Sequence, residues 1–316
     1  MCPRDRRPAR PLEAAAQTLR DLAADQINGA AVLTVDPPGD KELAARPSRR
    51  QGGGVATARG LIFDEDPELY ARARQSYPPA LFATLDELAG PLTGADVVEI
   101  GPGTGQATVG LLAAGARVTA VEPGPGMARV LRRTCPAAEV VVTPFEEWDG
   151  PERAFDLVVA VTAWHWLDPA VRAARVARLL RPGRALVTVT TEHVAGGTAG
   201  FFADVQPRYE HWDPEAEPGL RQRSAAETPP ITDEIDASEL FAPAVRRRVE
   251  QDVDYTAEEY LLLLSSYSGH RALSPERRAG LFADIRALID DRYAGTVTKR
   301  FLYEVRMARR LGDDAA

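Results

Sequence analysis

Three glycines at alternating positions follow an apolar run in the stretch VVEIGPGTGQAT, residues 97–108. Gly101, Gly103 and Gly105 leave the main chain without Cβ atoms directly after a predicted strand, so a ligand can approach the backbone closely. In an open α/β sheet the ligand crevice lies at the carboxyl ends of the strands, beside the unpaired N–H groups that begin the next helix. The pattern therefore predicts a small-molecule site at the end of this strand.

The spacing of these glycines narrows the class of ligand. A dinucleotide site requires G-x-G-x-x-G, whereas Gln106 occupies the position of the third glycine here, so a pyrophosphate is disfavoured. Glu122 ends the predicted second strand, 21 residues after Gly101, and a carboxylate there can accept hydrogen bonds from both hydroxyls of a ribose. An adenosine that carries no pyrophosphate fits both observations.

The sequence around these residues alternates between predicted strands and helices, which indicates a parallel sheet covered on both faces. Strands are predicted at 96–100, 117–122, 138–143, 155–163 and 184–190, and helices at 105–115, 126–134 and 169–180. The Arg-Pro-Gly sequence at 181–183 predicts a turn.

The last third of the chain is less regular. Residues 193 to about 243 are rich in Gly, Pro and acidic residues around short aromatic patches, which predicts a lid-like insertion. Within it Phe201 and Phe202 are expected to dock the insertion on the body of the domain. After it the segments 244–253 and 295–310 alternate as strands do, and 274–293 has a helical period.

The composition predicts a cytoplasmic globular protein that binds neither nucleic acid nor membrane. The net charge of −8 offers no basic face to a phosphate backbone, and the longest apolar runs are too short to cross a bilayer. Cys2 and Cys135 cannot form a disulfide framework, and His193 and His211 lack metal-ligand spacing. Residues 1–55 predict a mobile extension before a single domain over 56–316.

An ordered set of motifs resembles the class I S-adenosylmethionine-dependent methyltransferases, specifically the type 11 small-molecule branch that is similar to trans-aconitate methyltransferase. The motifs are VVEIGPGTGQAT, VTAVEPGPGM at 118–127, VTAWHWLD at 161–168, ARARQSYPPAL at 71–81, and the segments YSGHRALSPERR and GTVTKRFLYEVRMARR that begin at 267 and 295. The resemblance covers roughly residues 60–310. It implies a Rossmann-like, doubly wound, seven-stranded and mostly parallel sheet with an antiparallel last strand.

The same resemblance implies S-adenosyl-L-methionine as the cofactor and assigns residues to it. Glu99 contacts the methionine amino group, Glu122 holds the ribose diol, and Gly101, Gly103 and Gly105 pass close to methionine and ribose. Thr162 and Trp164 face the methionine end. The residues implied around the adenine are Pro123, Met127, Phe145 and Glu146.

One position departs from the family pattern. The family usually has an acid one or two positions before Phe145 and Glu146, where Thr143 and Pro144 stand here. The contact to the adenine N6 is therefore left open between Glu146 and a backbone carbonyl.

Methyl transfer from a sulfonium is an in-line displacement that mainly requires alignment and exclusion of water, so no metal is needed. The resemblance implies transfer to an oxygen or a nitrogen of a small metabolite. His165 either deprotonates the acceptor near neutral pH or caps its loop as a structural residue. Trp166 either borders the acceptor or packs at the sheet edge.

A carboxylate acceptor would need a clamp of cations and hydroxyls instead of a base. The candidates for such a clamp are Arg74, Tyr77, Tyr267 and His270, each of which can also be read as a surface or packing residue. Two other classes of protein stay open, a nicotinamide-dependent oxidoreductase and a protein that binds the nucleoside cofactor without catalysis.

Overall fold

The computed structural model describes residues 64–312, and the predicted extension over residues 1–55 lies outside the described residues. Helices α1 and α2 span Pro67–Ala73 and Pro79–Ala89. The strands are β1 Asp96–Ile100, β2 Arg117–Glu122, β3 Glu139–Val142, β4 Phe155–Val161, β5 Leu180–Val194, β6 Val245–Thr256 and β7 Thr296–Arg309. The later helices are α3 Thr108–Ala113, α4 Pro125–Thr134, α5 Arg172–Leu179, α6 Ala199–Asp204, α7 Gln206–Trp212, α8 Ala257–Ser265, α9 Ser268–Ala272 and α10 Pro275–Arg292.

These strands form one seven-stranded sheet in the order β3-β2-β1-β4-β5-β7-β6. The pairs from β3 to β5 are parallel, and β7 runs antiparallel to both of its neighbours. The predicted fold class is therefore confirmed. Because the chain winds outward from β1 in one direction and from β4 in the other, the crevice between their carboxyl ends is the expected place for a ligand.

Helices cover both faces of the sheet and bury two apolar cores. On one face Leu85 of α2, Leu263 of α8 and Ile285 of α10 pack against the strands. On the other face Val176 of α5 packs against Val158 and neighbouring residues. The strand residues are largely β-branched and apolar, as parallel strands buried on both faces must be.

The fifth strand differs from its prediction. Leu180 pairs with Phe155 and Ala185 pairs with Leu157, so residues 181–184 bulge out opposite one residue of β4. Gly183 supplies the left-handed backbone in this bulge, with φ of +74°. The predicted turn is thus an insertion within a strand that continues to Val194, because β7 offers a hydrogen-bonding partner along that whole length.

The predicted insertion after β5 begins with α6 and α7. Phe201 and Phe202 are buried in the core, with ring centroids 5.1 Å apart. Trp212 donates a hydrogen bond from Nε1 to Asp284 of α10 at 2.8 Å. These contacts fix the first part of the insertion against the domain. Among the described helices none combines the length and apolar character needed to span a bilayer.

Candidate active site

The turn after β1 has the backbone conformation that the glycine pattern predicts. Gly101 and Gly103 have φ of +62° and +60°, in the left-handed region where other residues are strained. A Cβ on Gly101 would lie 2.8 Å from the Cβ of Ala163, at the end of β4. Gly103 instead faces open space, with Tyr70 as its nearest neighbour at 3.8 Å. A ligand can therefore lie directly against the main chain at Gly103.

Gly105 has a different reason for being glycine. Its φ is +101°, and a Cβ there would lie 2.8 Å from Leu131 and 3.0 Å from Cys135, both at the end of α4. Gly105 is not among the residues that line the cavity described below. This glycine allows α4 to pack against the turn, and its approach to the cofactor stays a prediction.

Glu122 lies at the carboxyl end of β2, 6% exposed, and both of its oxygens are engaged. Oε2 accepts a hydrogen bond from Gly103 N at 3.0 Å, and Oε1 accepts one from Gly124 N at 2.9 Å. Burial raises the pKa of this carboxyl to about 7, against the two backbone hydrogen bonds, which lower it. The carboxylate has about four acceptor positions, so about two stay available to a ligand.

Glu99 forms a second buried acid beside it, 1% exposed. The hydroxyl of Thr108 donates to Oε2 at 2.6 Å, which leaves the other oxygen for a ligand. Burial raises the pKa of Glu99 to about 7, and the nearby charge of Glu122 adds to this effect. Two carboxyls with raised pKa values at one end of a cleft form a site suited to a positively charged ligand.

A cavity of about 650 Å³ opens at these strand ends. It has the size of a pocket that holds a ligand of moderate mass. All but two of the predicted site residues line it: Arg74, Tyr77, Glu99, Gly101, Gly103, Glu122, Pro123, Met127, Phe145, Glu146, Thr162, Trp164, His165, Trp166 and Tyr267. The two that do not are Gly105 and His270.

The cavity has two contrasting sides at the β1 end. We call Glu99, Gly101, Gly103 and Glu122 the acidic wall. We call the opposite side the tyrosine wall, which consists of Tyr70, Arg74, Tyr77 and Tyr267.

Thr162 links the end of β4 to the tyrosine wall. It is a β-branched residue with φ of +54°, a conformation that costs free energy and that clusters at functional sites. Its Oγ1 forms hydrogen bonds with Tyr77 OH at 3.2 Å and with Thr191 Oγ1 at 2.9 Å. These bonds and the 2.7 Å bond from Thr162 N to Val189 O hold the strained residue in place.

Trp164 and His165 differ in how firmly they are held. Trp164 is buried, donates from Nε1 to Asp233 at 3.0 Å, and lies under the guanidinium of Arg172, whose Cζ is 4.6 Å from the ring. His165 is exposed, and its ring centroid lies 4.6 Å from that of Trp166. Trp164 therefore forms a rigid part of the wall, whereas the His165 imidazole is accessible from the cavity.

Glu146 is also tied to this region. Its Oε1 accepts a hydrogen bond from the backbone N–H of Asp168 at 3.0 Å, so this acid bridges the loops after β3 and β4. Glu146 lines the cavity together with Met127 and Phe145.

His270 does not line the cavity with the other candidate clamp residues. It is buried away from the cavity, and a hydrogen bond of 3.0 Å joins its Nε2 to Tyr209 OH. Burial lowers its pKa to about 3, so the ring is neutral near pH 7 and has no positive charge to attract an anion. The α9 helix turns this side chain towards α7 and α10, where Phe282 also packs on it, in keeping with the packing alternative.

Sequence reasoning did not identify Lys299, which lies behind the tyrosine wall, or the ion pair between Asp233 and Arg306. Lys299 is fully buried on β7, at every second position with Phe301 and Tyr303. This alternation was the feature of the sequence that could have indicated a buried lysine. Asp233 forms a bidentate ion pair with Arg306, with N···O distances of 2.7 and 2.6 Å. No local pattern marks Asp233, because its partner lies 73 residues away.

Asp233 and Arg306 belong to a partly buried ion network that holds residues 231–236 at the cavity. Arg172 binds Glu234 through two hydrogen bonds of 2.5 and 2.7 Å. Glu304 accepts a hydrogen bond from Ile231 N at 3.0 Å. Ile231 and Asp233 both line the cavity, so the network supports part of its wall.

Comparison with known proteins identifies the family of the chain. A family model described as a methyltransferase domain matches residues 98–188, from β1 to β5. The uncharacterized methyltransferases Mb3374 of Mycobacterium bovis and Rv3342 of Mycobacterium tuberculosis are each 31% identical to the chain over 208 residues, which cover 66% of this chain and 77% of the relative.

A solved structure shares the fold. It comes from Anaeromyxobacter dehalogenans and is described, by inference, as a type II methyltransferase. It matches with a TM-score of 0.55 at 24% identity, over 75% of this chain and 98% of that chain. The chain belongs to the class I S-adenosylmethionine-dependent methyltransferases, and S-adenosylmethionine is its cofactor. The closer resemblance to trans-aconitate methyltransferase stays a prediction.

Proposed function

We propose that this protein transfers a methyl group from S-adenosylmethionine to an oxygen, of a hydroxyl or carboxylate, or to a nitrogen of a small metabolite. The observation that carries the proposal is the juxtaposition of the acidic wall with the strained end of β4 and the tyrosine wall in one cavity of about 650 Å³. When bound, the cofactor supplies a methyl group on a positively charged sulfur. A pocket of this size, once it holds the cofactor, accommodates only a small acceptor.

The acidic wall fits the cofactor in hydrogen bonding and in charge. The two acceptor positions left on Glu122 match the two hydroxyls of a ribose. The unused oxygen of Glu99 suits the methionine ammonium, and both acids complement the positive charge of the ammonium and sulfonium groups. Because Gly103 has no Cβ, the ribose can lie close to the main chain there.

The other proposed contacts follow the lining of the cavity. Met127 and Phe145 are buried and apolar, as an adenine slot requires, and Pro123 borders them. Thr162 and Trp164 are proposed to face the methionine end. For the adenine N6 we propose the second oxygen of Glu146, because its first oxygen is taken by Asp168.

The acceptor side is proposed to include His165 and Trp166. Both line the cavity next to Trp164, where an acceptor could lie against aromatic rings that exclude water. We propose a metabolite rather than a nucleic acid because the net charge of −8 opposes binding to a phosphate backbone.

A binding experiment tests the cofactor site. The purified protein is titrated calorimetrically with S-adenosylmethionine and, separately, with NADH, before and after Glu122→Ala. We expect binding of S-adenosylmethionine alone, weakened roughly 10- to 150-fold by the substitution, since hydrogen bonds to a charged group contribute about 1.5–3 kcal/mol. Glu147→Ala is the matched control, because Glu147 is exposed in the loop that carries Glu146 and does not line the cavity.

The outcomes separate the competing functions. Binding of NADH in place of S-adenosylmethionine would support an oxidoreductase and reject the proposal. Binding of S-adenosylmethionine without transfer of labelled methyl to any component of a metabolite extract would indicate a non-catalytic binding protein. Transfer that yields a labelled product of low mass supports a small-molecule methyltransferase and identifies its acceptor.

A further inference from the structure

Lys299 is a buried lysine that pairs with no acid among residues 64–312. Burial lowers the pKa of its ammonium, and the interaction with Tyr267 opposes that shift. Its side chain is 0% exposed, and its Nζ donates a hydrogen bond to Tyr267 OH at 3.1 Å. The ammonium lies 5.1 Å from the centroids of the Tyr267 and Phe301 rings. In the part of the chain that the structure describes, no carboxylate pairs with it. A buried charge is costly unless an opposite charge compensates it, so the phenol oxygen is the group best placed to do so.

Arg74 brings a second cation to the same phenol. Its Cζ lies 4.4 Å from the centroid of the Tyr267 ring and 5.1 Å from that of Tyr70. One nitrogen makes a long hydrogen bond of 3.4 Å to the carbonyl of Ser266. Its Nε is buried without a hydrogen-bond partner, and over residues 64–312 no acid forms an ion pair with this guanidinium. Two unpaired cations thus converge on Tyr267.

Tyr267 and Arg74 are the members of this cluster that line the cavity, whereas Lys299 lies behind them. Arg74 connects Tyr267 to Tyr70, which is the nearest neighbour of Gly103, and Tyr77 of the same wall contacts Thr162. The tyrosine wall therefore borders the methionine end proposed for the cofactor.

We propose that Tyr267, held between Lys299 and Arg74, is the general base that takes the proton from a methyl acceptor that is a hydroxyl or an N–H group. The inference rests on the proposed methyltransferase function. As the acceptor's oxygen or nitrogen forms its bond to the methyl carbon, the carbon–sulfur bond breaks and its electron pair stays on sulfur. The acceptor's proton passes to the phenolate oxygen of Tyr267, and water then removes it to restore the phenolate. Lys299 is a positioning residue that stabilises the phenolate.

Among residues 64–312, the histidines and tyrosines with shifted pKa values around Tyr267 and its cations support this assignment because they carry no charge near pH 7. The ionisable groups that face Tyr267 or its cations from the packed elements are Tyr209 of α7, Tyr260 of α8, His270 of α9, His193 of β5, Tyr255 of β6 and Tyr303 of β7. Burial lowers the pKa of both histidines, so they are neutral near pH 7. Burial raises the pKa of each of these four tyrosines, so they stay protonated.

Tyr267 differs from all of them. Burial raises the pKa of its hydroxyl, but Lys299 and Arg74 lower it by more, so the pKa lies below its ordinary value. Tyr77, which lacks a cation bonded to its hydroxyl, has its pKa raised to about 12 by burial. A base with a pKa displaced towards neutrality is better matched to proton transfer under physiological conditions.

The decisive test is a spectrophotometric titration of tyrosinate at about 295 nm on the full-length protein. We expect the wild-type protein to show one tyrosinate that forms below the ordinary pKa of about 10, and Tyr267→Phe to abolish this step. Lys299→Met should raise its midpoint by at least about one pH unit, a tenfold change in ionisation constant, and Lys299→Arg should preserve it. Tyr293→Phe is the control, because Tyr293 lies outside the cavity wall.

If Lys299→Met does not fold, Arg74→Met provides the second test, with a smaller rise in the same midpoint. A wild-type curve that Tyr267→Phe leaves unchanged below pH 10 would overturn the proposal, since the buried lysine would then be a neutral amine beside a protonated phenol.

A kinetic arm tests the role of the phenolate. With the acceptor identified by labelled transfer, Tyr267→Phe should lower kcat at least about 100-fold while the affinity for S-adenosylhomocysteine changes less than about twofold. Lys299→Met should shift the acidic limb of the kcat profile to higher pH. Unchanged kcat in Tyr267→Phe would overturn the catalytic role even if the titration succeeds. Absence of S-adenosylmethionine binding by the wild type would instead reject the proposed function, independently of the titration.

Discussion

The two walls of the cavity bury opposite charges by different means. The acidic wall places Glu99 and Glu122 at the ends of β1 and β2, where backbone N–H groups and a threonine hydroxyl satisfy them. At the tyrosine wall, the half-buried Arg74 and the buried Lys299 behind it lie among aromatic rings, with Tyr267 as their shared neighbour. The acidic wall is therefore suited to a positively charged ligand. The tyrosine wall is suited to negative charge, either on a protein side chain or on the acceptor.

The walls also differ in how the chain assembles them. The acidic wall comes from residues within about 25 positions of each other, along one β-α-β unit. The tyrosine wall combines residues around the end of α1 with the start of α9, and Lys299 of β7 lies behind it. The part of the cavity wall at residues 231–236 depends on ion pairs such as that between Arg306 and Asp233. The following predictions test this contrast in order of expected effect.

Breaking the ion network should have the largest effect on stability. Arg306→Met leaves Asp233 partly buried without its bidentate partner, since the Arg306 side chain is only 5% exposed. We expect a loss of about 3–5 kcal/mol in the free energy of unfolding, measured by urea denaturation. Arg300→Met removes the more exposed pair with Asp252 and should cost less than about 1 kcal/mol. Equal effects of the two substitutions would show that the network does not hold the wall.

The acidic wall should make stability depend on pH in the cofactor-free protein. Glu99 has a pKa of about 7 in the folded state against 4.5 for the unfolded chain, so the folded state binds more protons between these values. The free energy of unfolding should therefore fall as pH rises from about 4.5 to 7. Glu99→Gln, which keeps an acceptor for Thr108, should remove roughly 3 kcal/mol of this fall.

The control for this titration is Glu147→Gln, because Glu147 is exposed and should leave the pH dependence unchanged. Urea denaturation at several pH values between about 5 and 8 gives the slope directly. A slope that Glu99→Gln does not alter would mean that this acid is not the buried proton-binding group that the acidic wall requires.

Within the acidic wall, the two glycines of the turn after β1 have different roles, one in packing and one in leaving space for the cofactor. Gly101→Ala and Gly103→Ala both impose a left-handed backbone on alanine, which costs about 1–2 kcal/mol. Only Gly101→Ala also brings its Cβ within 2.8 Å of Ala163, so it should unfold at the lower urea concentration. Gly103→Ala should fold more readily but weaken S-adenosylmethionine binding, because its Cβ enters the space proposed for the cofactor. The reverse order of stabilities would contradict the packing seen at Gly101.

His165 should give the smallest effect. It lines the cavity but is exposed, and the proton is assigned to Tyr267, so His165→Ala is expected to lower kcat only several-fold while leaving cofactor affinity within about twofold. Steady-state kinetics and calorimetry measure the two quantities. A loss larger than that of Tyr267→Phe would make His165 the base, and weakened cofactor affinity with unchanged kcat would make it structural.

What the sequence could predict follows the same division. The strands and Glu122 with its glycine turn were accessible because hydrophobic period and motif spacing act over short distances, whereas the seven-stranded sheet was implied by the family resemblance. Gly105 shows the limit of a motif: its spacing is right, but its neighbours Leu131 and Cys135 come from a helix whose packing the spacing does not reveal.

The tyrosine wall lay beyond such reasoning. Tyr267 and Arg74 could be proposed from motifs, but the orientation of α9 decided that Tyr267 reaches the cavity and His270 does not. Lys299 could be noticed only as a charge at an apolar position of β7, and its partner depends on the contact between β7 and the start of α9. Long-range packing of this kind is set by the whole fold rather than by local pattern.

The most direct test of the account is a crystal structure of the protein with S-adenosylhomocysteine. The account predicts both ribose hydroxyls on Glu122, the ammonium on Glu99, and the sulfur directed towards Thr162 and the tyrosine wall. A complex in which the cofactor's ribose lies away from Glu122, or in which side chains fill the space at Gly103, would contradict it.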